Sequence, residues 1–277
     1  MEMSEEQFNF LRCKADWVWQ QTLLLHARVP EVRIASCLSA CDLLSVLFYA
    51  GFLSLPEPTY LCPKRDRFIA SKGHGSLALF PILADLGFFP MQELENIAHP
   101  EAILSAIPAA GFGTFETLNG SLGHGLGLAC GMALALRTQK KDAKVIVLHG
   151  DGELNEGAVW EAIMLAGQLE LSRLYLIVDC NAKSMLGKCD DIISWHNVEA
   201  RFEAFGWECR RCQGHDVESL HAALQSMFQA DSAKPKLLLA DTIKGHGVPE
   251  LENSDICHVL GLSKQRIDQL VEGGRQT

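Results

Sequence analysis

Three short runs of consecutive apolar, β-favouring residues punctuate the second half of the chain: KVIVLHG (144–150), RLYLIVD (173–179) and KLLLADTI (236–243). A strand with one wet face alternates apolar and polar residues. A run that is apolar at every position belongs to a strand buried on both faces, as in a parallel sheet covered by crossover helices. Between the first two runs, WEAIMLAGQLEL (160–171) has helical period and the length of a crossover. The pattern predicts an α/β fold, a doubly wound, mostly parallel sheet with helices on both faces. The first 50 residues, 76–87 and 125–137 also read as helices, the last carrying the small residues Gly127, Ala129, Gly131, Ala133 and Ala135. No repeat, low-complexity tract or charge block marks a linker, so 1–277 reads as one domain with a short helical tail from about 262.

Composition narrows the function. Lys+Arg 24 against Asp+Glu 34 gives a net charge of −10, which disfavours a nucleic-acid or anionic-membrane partner. The acidic start MEMSEEQFNF does not read as a signal or transit peptide, and the longest apolar stretch, Leu43 to Leu53, is too short to span a bilayer. Ten cysteines in such a chain read as reduced thiols, which places the protein in the cytoplasm. A structural zinc site needs four ligands. Only one close pair exists, Cys209-x-x-Cys212 followed by His215, so GWECRRCQGHD reads as a strand entered through Gly206 and left through Gly214.

In an open parallel sheet, ligands bind at the carboxyl ends of the strands. The first such loop is GDGELNEG (Gly150 to Gly157), where a strand ends in Gly-Asp-Gly and a helix opens. Free backbone N–H groups there suit a phosphate, and the Asp151 carboxylate suits a cation. The next strand ends in DCNAK, placing Asn181 beside it. Mg²⁺ on a diphosphate takes a few protein oxygens and completes its octahedron with phosphate and water.

The GDG…N pattern, together with RFIASKGHGSLALFPIL, NGSLGHGLGLACGMALA, GDGELNEGAVWEA and ADTIKGHG, resembles the diphosphate-binding N-terminal half of transketolases, from about Leu11 to His258. The resemblance implies thiamine diphosphate and Mg²⁺ as cofactors and a two-carbon ketol transfer from a ketose to an aldehyde. It implies Asp151, Asn181 and the Lys183 carbonyl as metal ligands, and Gly150, Gly152 and Glu153 as the backbone around the diphosphate. His74, Lys244 and His258 fall near the diphosphate and substrate, with Lys72 in the loop of His74. Gly120 and Leu122 match pocket residues for the cofactor rings, and Glu156 matches an acid at the family's dimer interface, although an acid in a helix first turn needs no such role. His149, His196 and His221 fit no motif.

Two departures stand out against that family. Its N-terminal Gly-His-Pro histidine aligns with Arg33, and a second substrate-facing histidine aligns with Ile107, or with His99 before Pro100 if about eight residues are inserted, so ketose specificity is expected to differ, with Arg33 able to meet a carboxylate or phosphate. The glutamate that activates the cofactor lies, in the family, in a second domain that does not follow here. The chain is therefore expected to need a separate pyrimidine-binding subunit, in an α2β2 assembly, with the hydrophobic segment Phe112 to Phe115 at the interface. A thiamine-dependent 2-oxoacid decarboxylating component remains an alternative. So does a nicotinamide-dependent oxidoreductase, given the Gly73-x-Gly75-x-x-Ala78 spacing, though no second strand ends in an acid at the required distance.

Overall fold

A computed structural model describes residues 3–275 apart from 58, 60–61, 106–115, 119 and 186; Ile107 and the segment from Phe112 to Phe115 lie outside the described residues. Among the described residues the sheet has five strands: β1 (Arg67–Ala70), β2 (Val145–Gly150), β3 (Leu174–Cys180), β4 (Glu208–Gln213) and β5 (Lys236–Asp241). Their order is β1-β2-β3-β5-β4, with every pairing parallel.

The alternation of side chains along each strand divides the core in two. Ile146 and Leu148 of β2, Tyr175 and Ile177 of β3, and Leu238 and Ala240 of β5 join one core. Val145, Val147, Leu174, Leu176, Val178, Leu237 and Leu239 join the other. Helices Glu5–Arg28, Cys41–Tyr49, Leu79–Asp85, Val217–Gln229 and Lys264–Gly273 bury residues in the first core, and Gly125–Thr138 and Gly157–Gln168 in the second. This is the doubly wound sandwich that the unbroken apolar runs require, since each strand must be apolar toward both layers. The first helix is started by a capping box between Ser4 and Gln7 and turns Leu11, Ala15, Val18, Trp19 and Leu23 inward.

Two readings need adjustment. The helix expected over 76–87 divides into a tight 3₁₀ segment, Gly73–Ala78, and an α-helix, Leu79–Asp85. Pro81 has no N–H to bond back to the preceding turn, so the α-helix can begin only with Pro81 in its first turn. The Cys209 and Cys212 thiols, three apart on β4, face opposite sides of the sheet, Cys212 in one core and Cys209 packed against the other, and cannot share a metal. All ten cysteines are free. No helix among the described residues is long and apolar enough to cross a membrane.

Candidate active site

The carboxyl ends of β1, β2, β3 and β5 open into one cavity of about 330 Å³. Each strand delivers part of its wall. The turn after β1 brings Lys72 and His74, the Gly-Asp-Gly turn after β2 brings Gly150 to Glu153, and the turn after β3 brings Asn181 and Lys183. The loop after β5 brings Lys244, while Ser36, Leu122, Glu156 and His258 complete the wall. Met185 and Ile192, both well exposed, line its mouth.

Three oxygen donors expected to hold a cation sit together. The Asp151 carboxylate accepts the N–H groups of Gly152 (2.8 Å) and Ala182 (2.5 Å), which ties the β2 turn to the β3 turn. The Asn181 amide oxygen accepts the Lys183 N–H at 3.2 Å. The Lys183 carbonyl accepts the Lys244 ammonium at 2.7 Å, so this oxygen already faces a positive charge. The Lys183 ammonium is turned away, onto the carbonyls of Glu252 and Ser254. Burial, and then the nearby Asp179 charge, push the Asp151 carboxyl up to about 6. A carboxylate with so little solvent gains from a cation beside it.

Lys72, placed by sequence among the groups offered to substrate, is committed elsewhere. It is 1% exposed, and its ammonium pairs with Asp179, which is fully buried. Asp179 also accepts the hydroxyls of Ser39 (2.6 Å) and Thr242 and the Asn181 amide N–H (3.3 Å). Burial raises that carboxyl, but Lys72 and the two hydroxyls more than offset it and hold it below the usual carboxylate range. One buried carboxylate thus joins the turns after β1, β3 and β5. Gly75 allows this closeness: a Cβ there would lie 2.6 Å from the Lys72 side chain and 3.1 Å from the Ser36 carbonyl.

His74 and His258 meet edge to face with ring centroids 5.3 Å apart. Burial, then the charges of Lys72, His258 and Lys244, pull His74 down to about 3; burial, then Lys244 and Arg33, pull His258 down to about 4. Both imidazoles are therefore neutral at pH 7, available to accept or donate hydrogen bonds without adding charge. Burial and then the Lys72 charge also lower Lys244 below the ordinary lysine range.

Of the residues singled out by sequence, Gly120 and Arg33 do not line the cavity: Gly120 is exposed, and Arg33 precedes the short helix Ile34–Leu38 with its charge felt at His258. Glu156 lines the cavity but is exposed in this chain. Sequence reasoning passed over Asp179, Ser39 and Thr242, and it passed over His149. The His149 ring is fully buried behind the Gly-Asp-Gly turn with Nε2 3.1 Å from Glu153 Oε2, and that oxygen accepts the Ser71 hydroxyl at 2.6 Å and the Gly123 N–H at 3.3 Å. The one signal available was an Asp closing an otherwise apolar strand, a costly placement unless its charge is paired.

A diphosphate with a divalent cation fits this wall. The donors toward a cation are a carboxylate, an amide oxygen and a carbonyl; the groups toward an anion are Lys244 and the N–H groups of a glycine turn. The buried Ser36 hydroxyl has no hydrogen-bond partner among the described residues and lies in the same wall.

A family model described as "Transketolase, thiamine diphosphate binding domain" matches residues 34–273. The chain is 33% identical to a subunit of apulose-4-phosphate transketolase from Actinobacillus succinogenes, covering 91% of each sequence. It is 31% identical to 6-deoxy-6-sulfo-D-fructose transketolase subunit SqwG of a Clostridium species, covering 95% of each. The fold matches transketolase from Campylobacter jejuni with a TM-score of 0.83 and 29% identity over 98% of this chain. That match spans 43% of the Campylobacter chain, less than half its length.

Proposed function

The chain belongs to the transketolase family, as its thiamine diphosphate binding domain, and on that premise we propose that it is the diphosphate-binding subunit of a two-subunit enzyme. The reaction is transfer of a two-carbon ketol unit from a ketose or ketose phosphate to an aldehyde acceptor. The observation that carries this reading is the single cavity in which Asp151, Asn181 and the Lys183 carbonyl stand next to Lys244, His74 and His258. Asp151, Asn181 and Lys183 would hold Mg²⁺, and Gly152, Glu153 and Lys244 the diphosphate.

When bound, the thiazolium of thiamine diphosphate supplies the carbanion chemistry that breaks and remakes the C–C bond beside a carbonyl. This chain's part is to bind, orient and move protons. Lys244 neutralises negative charge at the diphosphate end. Neutral His74 and His258 hold substrate hydroxyls and can pass a proton at their ring nitrogens, a role that a permanently charged group could not fill. Arg33 stands outside the cavity wall, but its charge reaches His258, and it is the group we infer to read an anionic substituent on a substrate that extends past that ring.

The partner we infer is a pyrimidine-binding subunit in an α2β2 complex, in the cytoplasm. The relatives named as subunits, which the chain covers almost end to end, support it. So do Met185 and Ile192, which line the cavity and are 58% and 39% exposed, and the exposed Ile243, Ile256 and Val259, which neighbour Lys244 and His258 in sequence. Residues 1–277 serve as one domain. Reconstitution tests the proposal: the chain alone turns over no ketose, and the chain mixed with the pyrimidine-binding subunit of a two-subunit transketolase transfers the ketol unit. Transfer by the chain alone overturns the split arrangement, and 2-oxoacid decarboxylation in place of ketol transfer by the mixture overturns the reaction.

A further inference from the structure

Beneath the loop that carries Lys244 lies a second polar cluster, outside the cavity wall. Asp42 is fully buried at the start of helix Cys41–Tyr49, and its Oδ2 lies 2.8 Å from Nδ1 of His215, in the turn after β4. The other ring nitrogen of His215, Nε2, accepts the backbone N–H of Ile243 at 2.8 Å. Arg275 donates to the remaining Asp42 oxygen at 2.6 Å, and the His246 ring stacks on His215 with centroids 3.6 Å apart. Burial raises the Asp42 carboxyl, but the His215 N–H and Arg275 more than offset it and keep it ionised.

Asp42, His215 and His246 bring one ligand atom each within 4.8 Å, which invites a metal. The hydrogen bonds decide otherwise. An Nε2 that accepts an N–H has its lone pair engaged, so in a neutral imidazole the proton is on Nδ1 and points at Asp42. A metal shared with Asp42 would need the Nδ1 lone pair, and the proton would then sit on Nε2, facing the Ile243 N–H donor to donor. The cluster fixes one tautomer, and that tautomer has one outward function, to hold the Ile243 N–H.

Ile243 immediately precedes Lys244, whose ammonium reaches the Lys183 carbonyl in the cavity. The rest of the loop is held by Gly245 N–H on the Ala35 carbonyl, by Trp19 on the His246 carbonyl, and by Gly247 N–H on Glu252. Gly245, at φ +80° and with no room for a Cβ beside Leu251, lets the chain turn sharply just after the lysine. We propose that the Asp42–His215 pair is a positioning device for Lys244, setting where its ammonium stands toward the diphosphate. This rests on the thiamine diphosphate reading of the cavity.

Two near-isosteric variants separate placement from folding. In His215→Gln the side-chain oxygen stands where Nε2 stood and still accepts from Ile243; in His215→Asn the amide can donate to Asp42 but leaves Ile243 without its acceptor. Titrated with thiamine diphosphate and Mg²⁺, His215→Asn binds about tenfold more weakly, the worth of one hydrogen bond, and His215→Gln binds close to wild type. In a Lys244→Met background the His215→Asn effect vanishes, because the lysine through which it acts is gone. Hydrogen exchange at the Ile243 amide, read without any cofactor, is faster in His215→Asn. Equal affinity of His215→Asn and wild type, a loss that persists in the Lys244→Met background, or unchanged exchange at Ile243 overturns the proposal. Absence of binding by the wild type instead overturns the cofactor reading on which it stands.

Discussion

The two ends of β3 each carry an ion pair. At the amino end, Arg173 meets Asp142 with side chains 46% and 82% exposed. Near the carboxyl end, Asp179 meets Lys72 with side chains 0% and 2% exposed. The first is a surface pair, whose attraction water and salt screen to about 0–1 kcal/mol. The second has given up its hydration, and breaking it by removing one partner costs about 3–5 kcal/mol because a bare charge stays behind. A fold needs neither for its stability, since apolar residues would pack the carboxyl end at least as well. Charge is buried at both ends of the sheet, with Arg65, Asp66 and Lys236 at the amino end, but at the carboxyl end Lys72, Glu153 and Lys244 line one cavity with Asp179 paired beside them, which is what a site prepared for a charged ligand looks like.

Lys72→Met breaks the contrast most severely. It should lower unfolding free energy by about 3–5 kcal/mol in urea titrations, and Lys72→Met with Asp179→Leu should recover much of that loss. A single variant as stable as wild type would show that Asp179 is not held as a buried charge.

Acid sharpens the contrast next. The depressed pKa of His74 means its folded form resists protonation, so the stability it contributes is present above about pH 6.5 and is lost as pH falls toward about 3. Asp151, raised to about 6, works in the opposite sense: the folded form takes up its proton first, which stabilises the chain as pH falls from about 6. His74→Asn removes the first contribution and leaves the second. Its stability should therefore fall less between pH 6.5 and 4 than that of wild type, and an NMR titration of wild type should find His74 still neutral at pH 5. A His74 midpoint near 6.5 would mean that the ring is not buried beside Lys72.

The smallest effect belongs to the amino end. Arg173→Ala should change unfolding free energy by about 1 kcal/mol or less and leave cofactor affinity untouched. A larger change would erase the difference between the two ends.

How much of this was legible in the sequence follows the same division. The unbroken apolar runs announced β2, β3 and β5 and with them the layered fold, and Gly206 and Gly214 bounded β4. The strand β1, only four residues long, is too short to display a period, and no local signal says that β5 inserts between β3 and β4. Asp151 and Lys244 stood out because each lies beside glycines in a short loop, and Asn181 because it directly follows an apolar strand. The partners were not. Lys72 and Asp179 are 107 residues apart and Asp42 and His215 are 173 apart, and only the sheet brings them together. Lys72 shows the consequence: its motif placed it in the cavity, but only the fold reveals that its charge is already taken.

We propose that the carboxyl end of the sheet holds thiamine diphosphate through a metal on Asp151. Isothermal titration of the chain with thiamine diphosphate, with and without Mg²⁺, in wild type and in Asp151→Ala, tests it most directly. One site per chain that requires the metal and disappears in Asp151→Ala is the expected result. Failure of the wild type to bind with Mg²⁺ present, or binding that survives either chelation or the Asp151→Ala substitution, would contradict it.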